Sequence, residues 1–224
     1  MLFRSTIFKI EATTKIKSEY TNHTNGSISS FDVTNPLKIL LFYKEKNSII
    51  LLDNQLAEIQ EPIILDELGH HQVTLVATSN KGGFWIYDNE RSQLLRYNSK
   101  LEKQTESNSL LAIIEPKDSP NFLGEYNGNV YLNFPNLGIF VFDLFGNYIN
   151  TIALLNLDNF QIHNNSITYL QDNNLLSYNI FDQTTTTIDL SDTLNILEGY
   201  ILNNKIYLFK PESYKIIDLT KKKQ

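Results

Sequence analysis

The sequence of 224 residues contains no cysteine. A disulfide framework, a thiolate metal site and a cysteine nucleophile are therefore excluded. The chain also lacks an apolar run long enough to cross a bilayer, and residues 1–7 lack the apolar stretch of a secretory signal. These absences predict a chain without a transmembrane segment, and they leave its redox compartment open.

Positive charge is also scarce. The chain has 19 Lys and Arg residues against 25 Asp and Glu residues, so its formal net charge is −6 at pH 7. Because binding to phosphate backbones depends on clustered Lys and Arg, this balance argues against a nucleic-acid partner. The only basic run is Lys221, Lys222 and Lys223, and we interpret residues 221–224 as a solvated tail.

Motifs for nucleophilic catalysis and for phosphate binding are missing. The sequence has no Gly-x-Ser-x-Gly elbow, and its Ser residues are scattered through turns. It also lacks the spaced glycines that precede a helix in a phosphate-binding loop. We interpret the isolated pair Gly82 and Gly83 as a hairpin turn.

Aromatic and β-branched residues fill the apolar segments of the chain. With 42% hydrophobic residues, including 13 Phe and 12 Tyr, the chain can bury a sizeable core. No segment sustains apolar spacing at the helical period, which predicts strands throughout. We expect short helical turns only in connections, at residues 65–68 and 110–113.

A repeat of about 40 residues organises these strands. Five apolar segments close on Asp or Asn, and each follows another short apolar segment; the closing residues are Asp53, Asn98, Asp143, Asn179 and Asp218. Turn pairs at 127–128, 164–165 and 203–204 contain Asn or Gly, which tolerate the positive φ that tight hairpins require. This period is typical of a four-stranded propeller blade.

Residues 7–10 and 15–20 are predicted to form the last two strands of a sixth repeat. The sequence therefore predicts an all-β fold, a β-propeller of six blades with the first blade incomplete at the N-terminus. Residues 1–220 form a single domain in this prediction. How the ring closes is left open.

Residues 129–148 resemble the repeat of NHL-type six-bladed propellers, in which a "VYV" strand precedes an "I-x-V-F-D-x-x-G" strand and turn. A longer likeness, at residues 28–54, 72–75 and 84–88, is to an uncharacterised propeller family of Bacteroidota. Members of that family begin with a secretory signal and a fuller first blade, so the resemblance implies that this version is truncated at its start. It implies a periplasmic or cell-envelope location, while a cytoplasmic location stays open. No activity or catalytic residue comes with it.

The histidine pair His70 and His71 follows two acidic residues, which raises the question of a metal site. Adjacent residues on an extended chain point to opposite sides, so both rings could bind one ion only with unusual loop geometry. We therefore interpret this segment as a solvated loop whose histidines contact backbone or water.

Four polar residues are predicted to line the central channel of the propeller: Asp32, Glu125, His163 and Glu198. If they converge, they could hold a cation or a polar ligand, as calcium-dependent lactonases of similar shape do with carboxylates. Hard cations need about six oxygen ligands, which spacing alone does not supply. We predict no cofactor, with a channel calcium ion as the alternative.

Most aromatic residues are expected in the core, at the alternating positions that packing between blades requires. Tyr43, Tyr87, Phe134 and Phe145 lie near strand ends or in loops, and we predict that they are exposed and form a recognition surface.

The leading functional prediction is a non-enzymatic scaffold that binds a protein partner through loops on one face, because large rigid folds with variable loops suit that role. One alternative is a hydrolase or lyase with a metal or carboxylate site in the channel. Another is a module that binds a glycan or a peptide through loop aromatics.

Overall fold

The computed structural model describes residues 5–10, 17–35, 37–115, 119–163, 165–172, 174–188, 196, 198–202, 205–210 and 213–218. Strands make up most of these residues, so the all-β prediction is confirmed. Three short 3-10 helices lie in connections, at Lys44–Lys46, Leu65–Leu68 and Leu110–Ala112, two of which match the predicted helical turns. Across the described residues, no helix combines the length and apolarity needed to cross a membrane.

The chain divides into two compact units, residues 1–155 and 156–224. The first unit contains a hairpin of β1 (Thr6–Ile10) and β2 (Lys17–Thr21), followed by three four-stranded sheets. Sheet 1 consists of β3 (Ser30–Asp32), β4 (Ile39–Tyr43), β5 (Ser48–Leu52) and β6 (Ile63–Ile64). Sheet 2 consists of β7 (Val73–Thr78), β8 (Phe84–Asp88), β9 (Gln93–Tyr97) and β10 (Lys103–Glu106). Sheet 3 consists of β11 (Phe122–Tyr126), β12 (Asn129–Phe134), β13 (Gly138–Asp143) and β14 (Tyr148–Ile152).

The second unit contains two sheets. Sheet 4 consists of β15 (Phe160–His163), β16 (Ser166–Gln171), β17 (Asn174–Asn179) and β18 (Thr185–Ile188). Sheet 5 consists of β19 (Glu198–Leu202), β20 (Lys205–Phe209) and β21 (Tyr214–Asp218). Every sheet is an antiparallel meander in which consecutive strands pair.

The predicted count of six blades is wrong, because the described residues form five sheets of three or four strands. The two strands predicted near the N-terminus are present, but they pair only with each other, as in Ile7 opposite Tyr20. Local hydrophobic pattern identified these strands correctly. It could not show that these two strands pair with each other and with no third strand among the described residues.

Sheets of the first unit pack face to face through apolar side chains. Leu40 and Phe42 of sheet 1 cluster with Val76 and Phe84 of sheet 2. On the other face of sheet 2, Trp85 and other side chains cluster with residues of sheet 3, including Val130, Leu132 and Phe140. Because sheet 2 is covered on both faces, its β8 is apolar at nearly every position rather than at alternate ones.

The Asp or Asn that closes each repeat has a common role in four of the five sheets. Its side-chain Oδ1 accepts a hydrogen bond from the backbone N–H two residues later; the pairs are Asp53 with Gln55, Asn98 with Lys100, Asp143 with Phe145, and Asn179 with Phe181. These Asx turns connect the third strand to the fourth. The repeat predicted from the sequence thus reflects an Asx turn that recurs after the third strand of four sheets.

Gly82 and Gly83 form the turn between β7 and β8, as predicted. Both have φ near +80°. A Cβ at Gly83 would lie 1.9 Å from the carbonyl oxygen of Tyr97, so only glycine fits this position.

Candidate functional site

The predicted channel residue Asp32 lies at the end of β3 and joins sheet 1 to sheet 2. Its Oδ1 accepts hydrogen bonds from the backbone N–H and the hydroxyl of Thr34, at 2.8 and 2.7 Å. Its Oδ2 accepts the backbone N–H of Thr78 at 2.8 Å. Both carboxylate oxygens therefore already have protein donors.

Glu125 on β11 holds the same part of sheet 2 from the side of sheet 3. Its Oε2 accepts the indole N–H of Trp85 at 2.7 Å and the hydroxyl of Ser79 at 2.9 Å. Its Oε1 accepts the backbone N–H of Asn80 at 3.3 Å. Each of the two carboxylates thus holds a neighbouring sheet to sheet 2 by hydrogen bonds at the end of β7, and we call such a contact a polar clamp.

A third polar clamp lies in the second unit. The side-chain amide of Gln161 on β15 donates to the carbonyl of Ile201 on β19 at 2.9 Å and accepts its N–H at 2.7 Å. Sequence reasoning missed this residue, because no local pattern distinguishes a glutamine that pairs with a backbone amide some 40 positions away.

The other two predicted channel residues lie in the second unit. His163 is half-buried at the end of β15, opposite Ser166. Glu198 begins β19, opposite Phe209, and its side chain lies outside the described residues. Convergence of the four predicted residues stays a prediction. Within the described part of the chain, no three His, Asp or Glu side chains are grouped closely enough to hold a metal ion.

His70 is the polar residue that sequence reasoning placed wrongly. It is only 2% exposed, not solvated as predicted. Since a carboxylate can only accept, Nδ1 of His70 donates to Oδ2 of Asp88 at 2.6 Å, and Nε2 of His70 forms a hydrogen bond of 2.6 Å with the hydroxyl of Tyr97. Arg91 adds a contact to Asp88 at 3.2 Å. Burial raises the pKa of Tyr97, so its hydroxyl stays protonated.

The neighbouring His71 is exposed, as predicted, but its contact is with a carboxylate side chain, where backbone or water was predicted. Its side chain is exposed and approaches Asp66 at 3.1 Å. Hydrogen bonds from Asn47 and His71 hold the pKa of Asp66 below its usual value. The sequence did carry a signal that separates the two histidines, because a Gly-His pair that opens a blade is a feature of one propeller repeat class, and Gly69 precedes His70.

The His70 cluster links the connection before β7 to the turn after β8 and to the end of β9. Asp88 is fully buried, and its Oδ1 also accepts the backbone N–H of Arg91. A buried histidine whose two nitrogens are both bonded is held in one orientation. We therefore assign a structural role to this cluster.

Three of the four predicted surface aromatics are buried. Tyr43, Tyr87 and Phe134 are at most 1% exposed, so the prediction of their exposure is wrong. They lie at strand ends, where short sequence context suggests solvent, but neighbouring side chains cover them; Tyr87, for example, packs edge-on against Phe134 at 6.0 Å between ring centroids. Phe145 is 78% exposed on an Asx turn, and its role in recognition stays a prediction.

The last residues of β3, β7 and β11 lie at one end of the first unit, because the clamps of Asp32 and Glu125 join them there. In each antiparallel sheet the third strand runs in the same direction as the first. The Asx turns that follow the third strands therefore lie at that same end, which we call the Asx end. Three side chains exposed at the Asx end are large and apolar: Val33, Leu37 and Phe145, of which Leu37 is 70% exposed.

Solved structures share this architecture. A protein of unknown function from Bacteroides caccae superposes with a TM-score of 0.64, at 14% identity, over 96% of this chain and 86% of that chain. The fold is a β-propeller. Its five sheets are the blades.

Two further solved propellers are similar. The WD40 domain of Neurospora crassa Pan2 has a TM-score of 0.64 at 10% identity, over 97% of this chain and 70% of that one. A catalytically inactive virginiamycin B lyase from Staphylococcus aureus, solved with quinupristin, has a TM-score of 0.60 at 11% identity, over 97% and 78%. At these identities the likeness concerns the fold alone. No protein-family model and no curated protein sequence matches the chain.

Proposed function

We propose that this chain is a non-enzymatic propeller scaffold of the cell envelope that binds a protein partner through the Asx end of its first unit. The observation that carries the proposal is a contrast between polar and apolar side chains. The carboxylates of Asp32 and Glu125, which could serve chemistry, are bonded within the fold. The apolar side chains of Leu37 and Phe145 are exposed instead.

The rigidity of the turn that carries Phe145 supports the same proposal. Phe145 follows Asp143, whose carboxylate accepts the N–H groups of Phe145 and Asn147 at 2.8 and 2.9 Å. Gly146 next to it has φ +81° and lies close to the backbone of Ser107, so the turn has little freedom to move. An apolar side chain on a fixed turn loses little conformational entropy on binding, which favours recognition.

The envelope location and the NHL-like character of the repeats are part of the proposal and rest on the resemblances described above. A hydrolase or lyase with a channel calcium ion is the alternative. It would use carboxylate oxygens of Asp32 and Glu125 that already accept hydrogen bonds from the protein and are held in place by them.

The test uses a photo-reactive phenylalanine analogue placed at position 145 or 37 in the full chain, in the native cells. Position 111 is the control, because Leu111 is also exposed, at 57%, but lies in the connection between β10 and β11 rather than beside β3 or in an Asx turn. We expect one envelope protein to crosslink from positions 145 and 37 and not from 111.

The crosslinked protein is then purified and its affinity measured. Phe145→Asp and Leu37→Asp should each weaken binding at least tenfold, because losing a buried apolar anchor costs about 2 kcal/mol or more. Leu111→Asp should leave the affinity unchanged. Equal weakening by all three variants, or crosslinks from 111 alone, would contradict the proposed surface. Stabilisation by added calcium would favour the alternative.

A further inference from the structure

The second unit contains a shallow cleft of ≈190 Å³ between sheet 4 and sheet 5. Three exposed polar residues of the loop before β15 form its rim: Asn156, Asp158 and Asn159. Its walls come from Phe160 of β15 and Tyr200 of β19. The cleft shares no residue with the Asx end of the first unit, so it bears on a different activity from the one proposed above.

The two aromatic walls are held at a fixed spacing. Gln161 follows Phe160, and Ile201 follows Tyr200, and these two residues form the reciprocal amide clamp of 2.9 and 2.7 Å. The clamp therefore fixes β15 against β19 directly beside the cleft. A site whose walls are already positioned loses less free energy on binding than one that must assemble.

The rim is also anchored. Leu157 is buried between the exposed residues Asn156 and Asp158, which fixes the loop to the unit. On the opposite side, a Cβ at Gly199 would lie 3.1 Å from Leu175 Cδ1, so glycine at this position lets β19 approach sheet 4 closely. The cleft is thus a built feature of the unit.

The chemistry of the lining selects the ligand class. The amides of Asn156 and Asn159 both donate and accept hydrogen bonds, as sugar hydroxyls do. An aromatic ring offers an apolar face on which the C–H face of a pyranose can stack. The described lining includes one carboxylate and no Lys or Arg, which disfavours an anionic ligand. We propose that this cleft binds a single neutral pyranose unit, free or at the end of a glycan.

Size and composition distinguish this ligand from others. Pockets for drug-sized molecules enclose about 300–1,000 Å³ and are mainly apolar. This cleft is smaller and has a polar rim. A cationic amine only donates hydrogen bonds, so it would leave the amide N–H groups of Asn156 and Asn159 unmatched, whereas a polyol uses both donors and acceptors.

The test is saturation-transfer NMR with the full chain and four probes: methyl glucoside, methyl galactoside, methyl mannoside and N-acetylglucosamine. We expect transfer to the ring protons of at least one sugar, with a Kd of about 1 mM or weaker, because the site is small and open. Nα-acetyl-lysine amide serves as the cationic probe. Transfer to that amine and to no sugar, or to no probe at all, would overturn the proposal.

Variants locate the signal. Tyr200→Ala should weaken sugar binding at least tenfold, while Tyr214→Ala, which removes an exposed tyrosine of the same sheet outside the cleft, should leave it unchanged. Gln161 does not line the cleft, but Gln161→Leu should still weaken binding several-fold, because it removes the amide hydrogen bonds that hold β15 against β19. Amide dispersion in the proton spectrum checks that each variant is folded. Equal binding by the parent chain and Tyr200→Ala would place the sugar elsewhere and sink the assignment.

Discussion

In the first compact unit, every residue of β4, β5 and β8 is buried, whereas in the second unit β15 has only half-buried residues and β20 buries two of five. The sequences reflect the difference. Residues 39–43 read Ile-Leu-Leu-Phe-Tyr, a continuous apolar run covered on both faces, while in β20 the buried residues Ile206 and Leu208 alternate with more exposed ones. The core is therefore two-sided around β4, β5 and β8 of the first unit and one-sided at β20 in sheet 5 of the second.

The largest expected effect concerns the single tryptophan. Trp85→Ala should lower the free energy of unfolding by about 3–5 kcal/mol, because it leaves a cavity between sheets 2 and 3 and removes the hydrogen bond to Glu125. Phe209→Ala in sheet 5, where the ring is 41% exposed, should cost about 1 kcal/mol. Urea unfolding followed by circular dichroism measures both. Equal losses would mean that the outward face of sheet 5 is covered in solution, and the comparison would fail.

The next largest expected change in stability concerns the adjacent histidines His70 and His71. His70→Leu should destabilise the first unit by about 3 kcal/mol, because it leaves the buried carboxylate of Asp88 without its nearest partner. His71→Leu is the matched control and should change stability by less than about 0.5 kcal/mol, since its side chain is exposed. Thermal unfolding of the two variants gives the difference. Similar losses would contradict the structural role assigned to His70.

Alkaline pH should act on the first unit through its buried tyrosines. Burial raises the pKa of Tyr43, Tyr87, Tyr97 and Tyr131 above the value of 10.0 in the unfolded chain. The stability that this provides is fully present below pH 10 and is lost as the pH rises through the folded pKa values. Urea midpoints measured across this range should fall, and Tyr131→Phe should make the fall shallower. A flat profile above pH 10 would show that these hydroxyls are solvated.

The smallest expected change in stability concerns the Asx turn after the third strand, which we compare between sheet 3 of the first unit and sheet 4 of the second. Gly146 and Gln183 both have positive φ in Asx turns, at 81° and 59°. Gln183→Gly should raise stability by up to about 1 kcal/mol, because a side chain in this conformation is strained. Gly146→Ala should lower stability, since its Cβ would lie 3.1 Å from the backbone of Ser107. A loss on Gln183→Gly would mean that the glutamine side chain contributes more than the strain costs.

Much of the fold was predictable from sequence because its signals are local. The closing residues Asp53, Asn98, Asp143 and Asn179 could be identified since each one bonds a backbone amide only two positions away. Strand positions followed from apolar runs in the same way. Blade number depended on which strands pair with the N-terminal hairpin, and pairing is not a local property.

The candidate site was less predictable because its bonds are non-local. The sequence shows that Asp32 and Glu125 are carboxylates on first strands, but not that amide and indole donors of sheet 2 face them. Tyr43 lies at a strand end, where exposure is the ordinary expectation, but it belongs to a buried cluster against which Ile7, Tyr20 and Ile28 pack. Loop residues of the cleft, such as Asn156, carry no pattern that separates a binding rim from an ordinary turn.

The three polar clamps also bear on how the chain acquires its fold. They span 46, 40 and 40 positions, which is about the length of one repeat. Each clamp therefore joins a sheet to the one made immediately before or after it. Within a sheet, pairing involves only consecutive strands. A chain emerging from the ribosome can complete one sheet and lock the next onto it without waiting for distant segments, so apolar faces of β4 and β8 are exposed only for the time needed to synthesise one repeat.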